Sequence, residues 1–123
     1  MFKPNLGFVL LLVKNPIESA AFYSKFFGIK PIEQSPTFVM FMLTNGVMLG
    51  LWSIYTVEPK TMALPGATEI CFAVEDVDAI YNVWGLQGIT IIQKPIDMDF
   101  GRTFVAIDPD GHRIRIYKLA EQQ

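Results

Sequence analysis

Apolar and polar positions follow the same succession twice along the chain. In the first half, the apolar run 7–13 predicts a buried strand. A helical segment follows, with Asn15 as its N-cap, Pro16 at its first position and Gly28 as its stop. A short strand is then predicted at KPIEQ, residues 30–34. Apolar runs on either side of Asn45-Gly46 predict a hairpin, because this dipeptide suits hairpin turns. The first half therefore predicts the order β-α-β-β-β.

The second half repeats this order. An apolar run is followed by a helix that begins after Asp76 and stops at Gly88. A strand is predicted at TIIQK, residues 90–94, and a hairpin around Asp110-Gly111. Equivalent landmarks of the two halves lie 60 to 65 residues apart. Such self-similarity indicates a duplicated structural unit.

The duplication predicts an α+β fold with two tandem βαβββ modules. The modules span about 6–52 and 67–119, and a segment of about 53–66 that contains proline and glycine links them. Laid side by side, they would form a curved mixed sheet around a cleft, with the helices outside. The sequence leaves open whether the modules pair within one chain or across two chains.

Composition narrows the class of partner. The chain is 51% hydrophobic with a mean hydropathy of +0.34, which indicates a well-filled core, a dimer interface or a ligand cavity. Its net charge is −2 and no basic patch is present, so we expect no nucleic-acid partner. Cys71 is the only cysteine, which favours a reduced, cytoplasmic protein without disulfides. The longest apolar run is far shorter than the roughly 20 residues of a membrane span, so no membrane partner is expected.

Three segments, VKNPIESAAFYSKFFGI, VEDVDAIY and FVAIDPDGHRIRIY, resemble the vicinal oxygen chelate superfamily. That superfamily includes glyoxalase I, the extradiol dioxygenases, and the bleomycin and fosfomycin resistance proteins. The resemblance covers the whole chain and implies the two-module fold. It does not decide the function, because this fold hosts both metal enzymes and metal-free binders.

The resemblance implies four positions for the ligands of a divalent metal ion, two in each module. They are occupied here by Phe8, Gly50, Glu69 and Arg115. Only Glu69 is a donor for a metal, and the permanent charge of Arg115 would repel one. We therefore expect no metal, no other cofactor and no catalytic residue. The alternatives are a glyoxalase-like metalloenzyme and a metal-free enzyme whose base is Glu69, Asp97 or His112.

Arg115 stands out in the last predicted strand. Alternation places it on one face with Arg113 and Tyr117, opposite the apolar face of Ile114 and Ile116. The resemblance places Glu69 and Arg115 at neighbouring ligand positions of the same module, so we expect them to form an ion pair where the metal would lie. An unpaired buried guanidinium would be costly. The alternative is that Arg115 binds a ligand carboxylate and Glu69 orients it.

A stacking surface is predicted on the strand that ends at Trp52. Met48 and Gly50 share its face, and Gly50 would leave room for a flat ligand to stack on the indole. A two-residue turn at Asn45-Gly46 would add Phe41 to this face.

Three further expectations concern the second half of the chain. The segment 94–104 is interpreted as a lid-like loop over one mouth of the cleft, the alternative being an ordinary connection. Trp84 is expected to pack its helix against the sheet, and His112 to be a partly exposed neighbour of a turn.

Within the superfamily, LGLWS, EDVDAIYNVW and DFGRTFVAIDPDGHRIR resemble the phenazine-resistance branch. This resemblance implies a metal-free homodimer that holds a planar tricyclic ligand against a tryptophan at the position of Trp52. The sequence therefore predicts a protein that sequesters a small planar aromatic compound. The predicted ligand-binding residues are Trp52, Phe41, Met48, Gly50, Glu69, Met98, Phe100, Arg115 and Tyr117.

Overall fold

A computed structural model describes residues 2–121 of the chain. The chain divides into two compact units, and the boundary lies between Pro65 and Gly66. Each unit contains one helix and one four-stranded mixed sheet in the order βαβββ. The predicted α+β fold and its internal duplication are thereby confirmed.

The sheet of the first unit has the strand order β1-β4-β3-β2, with β1 parallel to β4 and the other neighbours antiparallel. The Asn15 side chain accepts a hydrogen bond from the Glu18 amide at 3.2 Å, and Gly28 ends the helix in a left-handed conformation. The elements are β1 (Phe8–Val13), α1 (Pro16–Phe27), β2 (Glu33–Gln34), β3 (Phe38–Met42) and β4 (Met48–Ser53).

The sheet of the second unit has the equivalent order β5-β8-β7-β6, with β5 parallel to β8. Asp76 caps its helix by accepting from the Ala79 amide at 3.0 Å. The elements are β5 (Glu69–Ala73), α2 (Val77–Leu86), β6 (Thr90–Met98), β7 (Gly101–Ile107) and β8 (Arg113–Leu119). With 12 and 10 residues, neither helix of the described chain could cross a membrane.

Each unit buries one face of its sheet. In the first unit, α1 contacts β3 and β4. One set of alternating side chains on β1, β3 and β4 is buried: Leu11, Val13, Val39, Phe41, Leu49 and Leu51. In the second unit, Phe104 of β7 makes edge-on contacts with Tyr81 and Trp84 of α2, with ring centroids 5.5 and 5.7 Å apart. Trp84 therefore packs its helix against the sheet, as expected.

The β3–β4 hairpin differs from the predicted one. Met42 pairs with Met48, so residues 43–47 form a longer loop, in which the Asn45 side chain accepts from the Val47 amide. Relative to a two-residue turn, this shifts the pairing by one residue and turns β3 over. Phe41 pairs with Leu49 and is consequently buried in the core, and the expectation that it shares the sheet face of Met48, Gly50 and Trp52 is wrong.

The expected lid between β6 and β7 is instead a tight hairpin. The two strands pair up to Met98 and Gly101, which leaves only Asp99 and Phe100 in the turn. The Phe100 carbonyl accepts from the Ala120 amide at 2.9 Å, so this turn is also attached to the end of β8. The interpretation of 94–104 as a lid-like loop is therefore wrong.

His112 is also placed differently from the prediction. Its side chain is 2% exposed, because the turn before β8 folds back on Asp108. One carboxylate oxygen of Asp108 accepts from the amides of Asp110 and His112, both at 2.9 Å. These local hydrogen bonds bury His112, which was expected to be partly exposed.

Candidate functional site

The first unit presents an apolar sheet face on the side opposite its buried core. Because paired residues point to the same side, this face carries Phe8, Leu10, Leu12, Phe38, Met40, Met42, Met48 and Trp52. Phe8 and Leu10 are 39% and 45% exposed, which is high for large apolar side chains. The face is therefore a candidate binding surface.

A groove lies on this face. It has a volume of about 390 Å³ and is lined by Phe8, Leu10, Phe38 and Trp52, and we call these four residues the aromatic groove. The volume is within the range of about 300–1,000 Å³ that is typical of small-molecule sites. Its lining is almost wholly apolar, which suits a ligand that binds through ring surfaces.

The three rings of the groove are neighbours but do not stack in parallel. Phe38 meets Trp52 nearly at right angles, with centroids 5.9 Å apart and planes at 83°. Phe8 lies 6.3 Å from Phe38 with the planes tilted by 38°. Edge-on and tilted contacts of this kind leave room for a planar ring to stack against one of the faces.

Gly50 forms the floor beside Trp52, but the space above it is not open. A Cβ atom at this position would lie 2.5 Å from Cε1 of Phe8 and 2.6 Å from Cδ2 of Leu10. Glycine thus lets these two side chains lie flat on the sheet. The expected gap is filled by flexible side-chain ends, which a ligand could displace by rotation about their χ angles.

The second unit carries a charged cluster on the corresponding sheet face. Nε of Arg115 donates to Oε2 of Glu69 at 3.0 Å, and Nε of Arg113 donates to Oε1 at 2.9 Å. The expected Glu69–Arg115 ion pair is therefore confirmed, and Arg113 joins it. We call these three residues the arginine cluster.

The arginine cluster changes the acidity of its neighbours. The hydrogen bond from Arg115 lowers the pKa of Glu69 from its usual 4.5, with smaller contributions from the charges of both arginines and against the effect of partial burial. Burial raises the pKa of the Cys71 thiol, and the adjacent Glu69 carboxylate raises it further. Glu69 is thus a carboxylate at neutral pH, whereas Cys71 keeps its proton.

The internal duplication makes Phe8 equivalent to Glu69, and Gly50 equivalent to Arg115. In each unit these two positions are in contact: the Phe8 ring covers Gly50, and Glu69 binds Arg115. Neither pair fits the divalent ion that the fold family implies, because one offers no donor atom and the other commits its carboxylate to guanidinium groups. No group of three or more His, Cys, Asp or Glu within residues 2–121 is arranged to hold a metal ion.

Met98 and Phe100 lie at the other end of the second sheet, at the β6–β7 hairpin. Met98 lines a shallow pocket of about 260 Å³ together with Asp97, Gly101, Arg102, Lys118, Leu119 and Ala120. Arg102 is held there by Asp78 at 2.7 Å and by Asp97 at 3.1 Å, and its hydrogen bond lowers the pKa of Asp78. This pocket is distinct from the arginine cluster.

The structure thus separates the sequence-predicted residues into groups. Met48, Gly50 and Trp52 belong to the apolar face of the first unit, and Glu69, Arg115 and Tyr117 to one face of the second. Phe8 and Leu10 are groove residues that the sequence interpretation did not assign to ligand binding. The signal for them was the unbroken apolar run of β1, which places apolar side chains on both faces of the strand.

The two-unit βαβββ fold and its apolar groove define the class of protein. The chain belongs to the Glyoxalase/Bleomycin resistance protein/Dioxygenase superfamily, whose family model matches residues 5–116. It is 35% identical over 122 residues to the phenazine antibiotic resistance protein EhpR of Enterobacter agglomerans, covering 94% of this chain and 92% of that protein. The predicted superfamily is therefore confirmed.

Solved structures agree with this assignment. Protein ATC0852 of Agrobacterium tumefaciens, determined by solution NMR, is 44% identical with a TM-score of 0.85, covering 97% of this chain and 100% of that chain. A glyoxalase/bleomycin resistance protein/dioxygenase from Nocardioides also has a TM-score of 0.85, covering 100% of this chain and 88% of that one. At 20% identity, the second similarity shows the fold alone.

Proposed function

We propose that this protein binds and sequesters a small planar aromatic compound, in the manner of a resistance protein. The aromatic groove is the observation that carries the proposal, because its four lining residues are apolar and three of them are rings. The 35% identity to a phenazine antibiotic resistance protein supports the same ligand class. In this proposal Trp52, Phe38, Phe8 and Leu10 contact the ligand, and Met48 and Gly50 shape the surface beside them.

The affinity would come mainly from ring contacts and from the burial of apolar surface. An aromatic stack contributes about 0.5–1.5 kcal/mol beyond the area that it buries. Met40, Met42 and Met48 lie on the same sheet face, and methionine side chains adapt their shape to irregular guests. This arrangement favours recognition of a flat ring system by shape.

The experiment that tests the proposal is fluorescence quenching with phenazine as the probe. The two tryptophans serve as probe and control. Trp52 lines the groove, whereas Trp84 is 6% exposed and lies between its helix and the sheet of the second unit. We expect saturable quenching in the wild type and in W84F, but not in W52F. In calorimetry, W52A should bind phenazine about two- to twelvefold more weakly, which corresponds to the loss of one stacking contact.

Two results would contradict the proposal. Quenching of equal depth in W52F and W84F would mean that phenazine binds without contacting Trp52. Conversion of phenazine to a product by the purified protein would mean that the protein is an enzyme and not a sequestering protein.

We further propose that the chain forms a homodimer. Several large apolar side chains outside the aromatic groove are more than three-quarters exposed in the single chain: Phe2, Tyr55, Met62, Leu64 and Leu86. Burial of such side chains between two copies would remove them from water. Sedimentation at micromolar concentration should give the mass of two chains, and a monomer would overturn this part of the proposal.

A further inference from the structure

We propose that the arginine cluster of the second unit is a binding site for the carboxylate of an aromatic acid. Two guanidinium groups, those of Arg113 and Arg115, share the single carboxylate of Glu69. One positive charge of the cluster is therefore left without a counter-charge. An anion is the ligand that such a cluster attracts.

The charge balance is the opposite of that around Arg102 in the same unit. There a single guanidinium is bound by two carboxylates, those of Asp78 and Asp97. The two carboxylates outnumber the single guanidinium, so Arg102 and its partners together carry one net negative charge. The excess positive charge is therefore a particular property of the arginine cluster and is not shared by every arginine of the unit.

Arg115 is held in a fixed position. Its side chain is 16% exposed, with Nε and Nη2 directed at Glu69 and Nη1 donating to Oγ1 of Thr103 at 3.3 Å. The Thr103 hydroxyl itself donates to the Ile116 carbonyl at 2.8 Å, which orients its oxygen as an acceptor for Arg115. A guanidinium that is already oriented loses little conformational entropy when it binds a ligand.

Arg113 supplies the free donors. Its Nε is bound to Glu69, whereas its Nη atoms make no hydrogen bond within the described part of the chain. The side chain is 47% exposed, so these donors are accessible. A planar carboxylate matches the paired N–H groups of a guanidinium, which makes a carboxylate the best-fitting anion.

The ring of Tyr117 suggests what the carboxylate is attached to. Tyr117 follows Arg115 by two residues on the same face of β8, opposite Thr103 of β7. An acid whose carboxylate contacts the arginine cluster would find an aromatic side chain two residues beyond Arg115 on the same face of β8. The chemical class is therefore an aromatic carboxylic acid, and the inference does not depend on ligand binding by the aromatic groove.

The test is NMR of the arginine Nε–Hε groups during titration with benzoate. We expect saturable shifts at Arg113 and Arg115 and none at Arg102, and we expect neutral benzamide to shift none of them. R113Q should weaken benzoate binding about two- to fivefold, the range measured for exposed ion pairs. E69Q should strengthen it by a similar factor, because the Glu69 carboxylate competes with benzoate for the same donors. R102Q is the matched control and should leave the affinity unchanged.

Several outcomes would overturn the inference. Equal shifts at Arg102 would mean diffuse attraction to surface charge, and equal shifts with benzamide would mean that the carboxylate is not recognised. Weaker binding in a folded E69Q variant would show that Glu69 helps to hold the anion. Tighter binding of inorganic phosphate than of benzoate would assign the site to phosphate and refute the carboxylate class. Each of these results is separable from the phenazine quenching of Trp52, which reports on the other unit.

Discussion

Replacement of Gly101 by alanine should destabilise the protein strongly, because a Cβ atom there would meet backbone atoms. Gly101 begins β7 directly after the Asp99-Phe100 turn, with φ at 146°. A Cβ atom there would overlap the Lys118 carbonyl and approach the Ala120 amide nitrogen to 2.7 Å. These are backbone atoms of the β8 end, so they cannot move aside as a flexible side chain could.

The magnitude follows from two effects. A backbone conformation that is favourable only for glycine costs an alanine about 1–3 kcal/mol. Separation of the hairpin from the end of β8 adds the loss of hydrogen bonds such as that between the Ala120 amide and the Phe100 carbonyl, at about 1 kcal/mol each. We therefore expect G101A to lower the free energy of unfolding by about 2–4 kcal/mol.

Gly85 provides a control of opposite sign. It lies in helix α2, and a Cβ atom at this position would meet nothing within 4 Å. G85A should raise the free energy of unfolding by about 0.5–1 kcal/mol, because alanine is the better helix former. Urea denaturation of both variants and the wild type measures these differences. A G101A midpoint equal to that of the wild type would refute the close backbone approach at the β6–β7 turn.

Three further predictions concern the core and the arginine cluster. F41A should lower the free energy of unfolding, measured by thermal denaturation, by about 3–5 kcal/mol, since Phe41 is fully buried. F38A should lower it less and should instead weaken phenazine binding, because Phe38 lines the aromatic groove. The reverse order would support the two-residue turn at Asn45-Gly46 and contradict the register of β3 in the structure. Because the folded-state pKa of Glu69 is lowered, its stabilising contribution is present above 4.5 and is lost as the pH falls through the lower folded value. The difference in unfolding free energy between the wild type and E69Q should therefore shrink from pH 7 to pH 3, and a constant difference would argue against the ion pair. The raised pKa of Cys71 predicts slow alkylation by iodoacetamide at pH 8 and a faster reaction in E69Q, while equal rates would remove Glu69 as a cause.

Much of the fold was predictable because local interactions specify it. Asn15 and Asp76 each cap a helix by accepting an amide three residues ahead, so residues close in the chain are sufficient to indicate both helix starts. The duplication was visible for the same reason. Helix stops, turns and strand lengths recur at a nearly constant separation, and each is recorded in a short stretch of sequence.

The errors arose where distant parts of the chain decide. The register of β3 depends on which of its faces packs with α1, and a one-residue difference in the loop moved Phe41 from the expected surface to the core. The lid interpretation rested on the proline, the glycine and the two acidic residues of the segment 94–104. Pro95 is tolerated because β6 is an edge strand and its pairing with β7 is irregular between Gln93 and Ile96.

The sequence by itself determined the two βαβββ modules, and its resemblance to a known superfamily indicated the family and the pairing of Glu69 with Arg115. Caps, turns and strand alternation are properties of neighbouring residues and can be interpreted without coordinates. Only the tertiary structure decided that Phe8 and Leu10 lie over Gly50 to wall the aromatic groove, and that Arg113 shares Glu69 with Arg115. Those contacts join different strands, and the register that brings the strands together results from packing of the whole sheet.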